Sequence, residues 1–162
     1  MATEIQYKVF KEVYDEESER YSNLGTRANA YLTLITFYLG AVLLKIDDVL
    51  KFVTTFRIPV VFFLLIGTLF VVALLLTALA LNIRDYEAIC DPEEVIEAFG
   101  ESQPSDEEFL DDRIIDLAVA TNRNSRQNNR VAGLLQWAAR VICCCVALQA
   151  VLLLVAIKHT RG

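Results

Sequence analysis

From Ile58 to Leu81 the chain carries no charged side chain, and Arg57 and Arg84 close the run at its two ends. A helix rises about 1.5 Å per residue, so about 20 residues cross a hydrocarbon core of roughly 30 Å. The run exceeds that length, and in a chain of 162 residues it points to lipid as its solvent. Two shorter uncharged runs follow the same pattern, Ala28 to Leu44 and Val141 to Ile157. The alternative for either shorter run is a buried core helix. Both runs lengthen, however, where Arg27, Lys45 and Arg140 snorkel to the headgroups. The third then begins near Val131, with Arg140 kept off the lipid. Hydrophobic residues make up 55% of the chain, yet 22% is charged, and the two are segregated along it. That partition excludes a soluble globular enzyme and a disordered chain. The expected fold is an all-α membrane protein with three transmembrane helices.

Charge sets the expected orientation. Three spans place the N-terminal segment and residues 82–140 on one side, with ten Lys and Arg, against five on the other. The positive-inside rule puts the first group in the cytoplasm and the C-terminal tail outside. The segment before the first span carries Glu4, Glu12, Asp15, Glu16, Glu17 and Glu19. This is the opposite of a basic leader, so no signal peptide is expected. The chain divides into a cytoplasmic amphipathic helix at 1–27, a transmembrane hairpin at 28–82, a cytoplasmic helical hairpin at 83–130, and a third transmembrane helix with its tail at 131–162. Cys143, Cys144 and Cys145 fall inside the third span. Consecutive helical residues point about 100° apart, so the three cannot ligate one metal ion. They read as small packing residues, with palmitoylation as the alternative.

All the tyrosines except Tyr86 lie between Tyr7 and Tyr38. The series Tyr7, Phe10, Tyr14, Glu17, Tyr21, Leu24, Ala28, Tyr31, Ile35, Tyr38 alternates steps of three and four. That is the period of one helix presenting a seam to a partner helix. Residues 5–45 are therefore expected to form one long helix, half cytoplasmic and half in the bilayer. Its seam packs either on the chain's own cytoplasmic hairpin or around an axis between copies. Three spans enclose no pore, so transport requires several subunits. Gly40, Ala41, Gly67, Ala73, Thr77 and Ala80 are small residues suited to close helix contacts.

In the polar stretch 82–130, Asp91 with Pro92 opens a helix that Gly100 closes. Ser105 with Glu108 forms a capping box opening a second helix, which buries Phe109, Leu110, Ile114, Leu117 and Ala118. No proline or glycine occurs from Asp106 to Ala132, so this helix is expected to continue into the third span. From Asp85 to Asp116 there are thirteen acids against one base, Arg113. The stretch Thr121 to Arg130 then holds three arginines, four asparagines and no acid. On a helix Arg123, Arg126 and Arg130 lie within about 60° of one another, with Gln127 among them. Such a strip suits phosphates, with asparagine amides available for base edges. Headgroup anchoring, or pairing with the hairpin's own acids, would also account for the arginines. The acidic stretch reads either as a solvated face or, repeated around an assembly, as a vestibule that concentrates cations.

The lone histidine, His159, has no cluster of ligand residues around it in sequence, so neither a metal site nor a cofactor is expected. No nucleotide-binding glycine motif, nucleophile elbow or paired-carboxylate site is present, and no enzymatic role is expected.

Two segments, ERYSNLGTRANAYLTLI and LAVATNRNSRQNNR, carry a resemblance. The first is a charged helix running through Arg27, Ala28 and Asn29 into a span, and the second is an Asn/Arg-rich helix feeding the last span. Together they resemble the small membrane effectors of bacterial nucleotide-signalled anti-phage systems, among them the SLATT-type effectors of cyclic-oligonucleotide systems, the Pycsar membrane effectors and the membrane partner of the Hailong system. Three spans depart from the two- and four-span members. The resemblance implies a homo-oligomer, a tetramer or larger, in the bacterial inner membrane, and a nucleotidyltransferase encoded nearby. That enzyme's nucleotide or short oligonucleotide would bind the cytoplasmic part and control an ion channel. Arg123, Arg126 and Arg130 would contact phosphates, with Gln127 beside them, while Asn122 and Asn129 would read a base. Tyr7, Phe10, Tyr14, Tyr21, Leu24, Tyr31 and Tyr38 would form the seam between copies. The second reading is a non-channel scaffold that docks a basic partner through its acidic hairpin.

Overall fold

The structure is a computed structural model and describes residues 3–55, 60–83, 86–89, 97 and 105–161. Its described secondary structure is helical, with no strand: α1 (Glu4–Leu44), α2 (Ile46–Thr55), α3 (Val60–Asn82) and α4 (Asp106–Arg161). Three of these, α1, α3 and α4, are long and apolar enough to cross a membrane, as the three uncharged runs predict. In lipid a spanning segment must satisfy its own backbone, which a helix alone does within one strand of chain.

The helix ends follow local chemistry. Thr3 and Gln6 form a capping box at the start of α1, with Thr3 N–H donating to Gln6 Oε1 at 3.0 Å and Gln6 N–H to Thr3 Oγ1 at 3.3 Å. The expected box at α4 is present. Ser105 N–H donates to Glu108 Oε2 at 3.1 Å, and Glu108 N–H to Ser105 Oγ at 3.3 Å. These bonds hold the Glu108 carboxyl below its usual range. From there α4 runs unbroken for 56 residues, so the absence of helix breakers before Ala132 was a sound guide. The expected helix from Asp91 to Gly100 lies outside the described residues, apart from Glu97, which is helical.

Sequence reasoning missed α2. Its Ile46, Val49, Leu50 and Val53 recur at helical spacing, while Asp47, Asp48 and Lys51 occupy the other side. Lys45 separates it from α1, and Asp47 and Asp48 favour its N-terminus through the helix dipole.

The chain divides into two compact units. One comprises Met1–Gly25 and Ile83–Arg130, and the other Thr26–Asn82 and Val131–Gly162. The core of the second unit is Ile35, Ile66, Phe70, Ala73 and Cys145. There Tyr38 stacks on Phe70 with ring centroids 4.2 Å apart, and its hydroxyl accepts a hydrogen bond from Gln149 Nε2. Of the small residues, Ala73, Thr77 and Ala80 are fully buried. Gly40 and Gly67 have no heavy atom within 4 Å of where a Cβ would stand, so close packing within one copy does not use them. Cys145 is buried, whereas Cys143 and Cys144 are exposed. Burial covers only 11%, 22% and 11% of the most apolar stretch of α1, α3 and α4. Most of each span's surface is thus left for lipid or for other copies.

Candidate anion-binding site

In the first unit α1 and α4 run side by side in the same direction, Glu17 beside Asn128 and Arg20 beside Asn129. The buried line of α4 is Arg113, Leu117, Ala120, Asn124 and Asn128. It lies to one side of the expected one: Leu117 is on it, but Phe109, Leu110, Ile114 and Ala118 are only half-buried. The physical reason is that two asparagines and an arginine take positions that hydropathy assigns to aliphatic residues. Each then needs a partner, because a buried amide without one costs about 1–3 kcal/mol.

Asn124, 1% exposed, finds its partner in the segment at 86–89. Its Nδ2 donates to Glu87 O at 3.0 Å and its Oδ1 accepts Glu87 N–H at 2.9 Å. Tyr14 Oη donates to the same carbonyl at 3.4 Å. Tyr86 packs against Tyr21 and Tyr14, with centroids 4.8 and 5.9 Å away. Asn128, 2% exposed, donates to the Glu17 carboxylate at 2.7 Å and to Glu17 O at 3.0 Å. Arg20 completes the network through Glu17 at 3.3 Å and Asn129 Oδ1 at 2.7 Å.

The arginine strip is therefore split. Arg123 pairs with Glu87 at 2.5 Å, one of the hairpin acids that sequence offered as a partner. Arg126 and Arg130 are exposed and form no ion pair among the described residues. Asn122 is exposed, Asn129 is engaged by Arg20, and Gln127 is half-buried with its Oε1 buried and unbonded. The asparagines that the fold employs, Asn124 and Asn128, are not the two that sequence reasoning singled out. Their signal was available: they lie on the helical line joining Leu117 to Val131 and Leu135.

The tyrosine seam is occupied in part inside one copy. Tyr14 and Tyr21 meet Tyr86, Leu24 is buried, and Tyr38 meets Phe70 and Gln149. Tyr7 and Tyr31 are half-buried, and Phe10 is exposed. Of the two expectations for the seam, packing on the chain's own cytoplasmic hairpin describes Tyr14 and Tyr21, which meet Tyr86, whereas Tyr38 packs on Phe70 and Gln149 of the spans. No group of three His, Cys, Asp or Glu is placed to hold a metal ion among the described residues.

Burial pushes the Tyr14 hydroxyl up to about 12, and the neighbouring Tyr86 adds to the shift. A pKa raised above the unfolded value contributes stability that is complete below the unfolded pKa of about 10, and it is lost as pH rises towards about 12. Tyrosinate absorbance of the intact protein is expected to show a late contribution that Tyr14→Phe removes. Loss of an early step instead would place Tyr14 in water.

No family model matches the chain, and neither a curated protein nor a solved structure does.

Proposed function

We propose that the chain is an oligomeric membrane effector of a bacterial nucleotide-signalled anti-phage system. It forms an ion channel in the inner membrane, controlled by a nucleotide or short oligonucleotide from a nucleotidyltransferase encoded nearby. The N-terminus and residues 82–140 lie in the cytoplasm, and the C-terminus lies in the periplasm. The observation that carries this reading is the exposed pair Arg126 and Arg130, without acidic partners among the described residues, on a helix that continues into the last span. Two unpaired guanidinium groups one turn apart suit a phosphate chain. Arg140 supports the topology, since its guanidinium lies 4.8 Å from the centroid of the exposed Trp137 ring, a pairing suited to the membrane interface.

Ion flux from the purified protein in liposomes, with and without candidate cyclic nucleotides and oligonucleotides, tests the reading. No flux under any condition would sink it. Joint replacement Arg126→Ala and Arg130→Ala is expected to abolish the nucleotide response and leave the assembly mass in detergent unchanged.

The scaffold reading draws on Asp106, Glu107, Glu108, Asp111 and Asp112, all exposed at the start of α4. It predicts a dimer, and capture of a basic partner that weakens with salt. Four or more subunits by mass favours the channel.

A further inference from the structure

The polar side chains within the three spans are few, and most have a use inside the chain. Tyr38 and Gln149 satisfy each other. Thr77 is buried, and its hydroxyl donates to Ala73 O at 2.9 Å. A further polar run lies along α1. Ser22, Thr26, Asn29, Thr33, Thr36 and Gly40 recur at steps of four and three, the same period as the tyrosine seam. At about 100° per residue the run lies roughly 150° round the helix from that seam. Asn29, Thr33 and Thr36 are exposed, while the seam between them is packed at Ala28 and Ile35.

The threonines present a particular chemistry outwards. Thr33 Oγ1 donates to Asn29 O at 2.9 Å and Thr36 Oγ1 to Leu32 O at 2.8 Å. Each hydroxyl proton is thus turned back on the helix, and the oxygen lone pairs that remain can only accept. The outer face of α3 carries a single exposed threonine, Thr68, and that of α4 is Val146, Val151, Leu153 and Leu154. Lipid suits those two faces better than the face of α1, where the amide of the exposed Asn29 adds donors that hydrocarbon leaves without acceptors. The N-terminal part of α1 carries an open groove lined by Lys8, Lys11, Glu12, Asp15, Glu16 and Glu19, in which acids outnumber bases.

We infer that this face of α1, contributed by several copies of the chain, lines the conducting path, with Asn29, Thr33 and Thr36 against water and a cation as the conducted ion. The inference rests on the channel reading. Acceptor oxygens and an acid-rich N-terminal segment on the same helix favour cations over anions.

Single cysteines test it in a parent carrying Cys90→Ser, Cys143→Ala, Cys144→Ala and Cys145→Ala. The probe is a membrane-impermeant methanethiosulfonate, in cationic and anionic forms, applied to the full-length protein in liposomes. At Thr33→Cys and Thr36→Cys the cationic reagent is expected to cut flux at least roughly fivefold, and to act faster than the anionic one. Leu34→Cys and Leu75→Cys, on lipid-facing sides, are expected to leave flux unchanged. Flux from every variant with the threonine positions unmodified overturns the lining and leaves the channel reading standing. Disulfides joining copies at those positions, without reagent access, overturn it too by making the face a dry contact. Faster action of the anionic reagent overturns the cation assignment. No flux from the parent when the unaltered chain conducts assigns the loss to the cysteine replacements, and the scan is then read as reagent labelling. Labelling at Leu34→Cys equal to that at Thr33→Cys overturns the lining. No flux from either protein removes the channel reading and the lining together.

Discussion

Asn128→Ala is expected to loosen the pairing of α1 with α4 in the first unit by about 2 kcal/mol, seen as roughly 30-fold faster amide exchange along residues 4–25. The side chain supplies two donors, to the Glu17 carboxylate at 2.7 Å and to Glu17 O at 3.0 Å. The Glu17 side chain is 16% exposed and Arg20 is 40% exposed, so the surviving ion pair is partly screened and does not replace the lost amide. Truncation leaves a half-desolvated carboxylate with one partner. A buried polar residue in a helix seam also fixes which residues face each other, so the loss is expected to include register as well as stability. Asn129→Ala is the control: exposed and, among the described residues, bonded through its side chain to Arg20 alone, it is expected to shift exchange by less than about 0.5 kcal/mol. Equal exchange in the two variants would mean that the clamp does not hold α1.

Glu87→Gln is expected to tighten anion binding at the arginine strip while leaving stability nearly unchanged. The Arg123–Glu87 pair is short but open to water, with side chains 64% and 39% exposed. Pairs of that kind contribute little to folding. On the proposed reading the effect on a bound phosphate is larger, because Glu87 occupies Arg123 and would repel the ligand. Removing one charge at surface distances gains about 1 kcal/mol, roughly fivefold in affinity. Calorimetric titration of inorganic pyrophosphate into the full-length protein in detergent measures it. Unchanged affinity would remove Arg123 from the site and leave Arg126 and Arg130 to act alone. Lower affinity would assign Glu87 a positioning role in place of competition.

Particular residues mark what the sequence could and could not convey. Three uncharged runs translate directly into three long apolar helices, because charge is incompatible with hydrocarbon whatever the neighbours. The Ser105–Glu108 box and the unbroken α4 were legible for a similar reason: both are decided by residues three or four apart. The alternation of three and four from Tyr7 to Tyr38 was legible as a seam, but the pattern is the same whether the partner helix belongs to the chain or to another copy. Only the positions of Tyr86, Phe70 and Gln149 distinguish them. Asn124 and Asn128 were passed over because a segment with four asparagines reads as uniformly solvated. Their place on the line of Leu117 and Val131 separates them from Asn122 and Asn129. The short helix α2 escaped because two acids and a lysine among so few residues resemble a loop until the apolar members are counted at helical spacing.

Asn124 grips residue 87 by its peptide group alone, taking its N–H and giving to its carbonyl. A grip of that kind is blind to the side chain at 87 and refuses only proline, which has no N–H to offer. Charge at this position can therefore be reversed, removed or enlarged without the anchoring bonds being touched. If the arginine strip binds an anion as proposed, residue 87 is a dial on it, set apart from the fold that carries it.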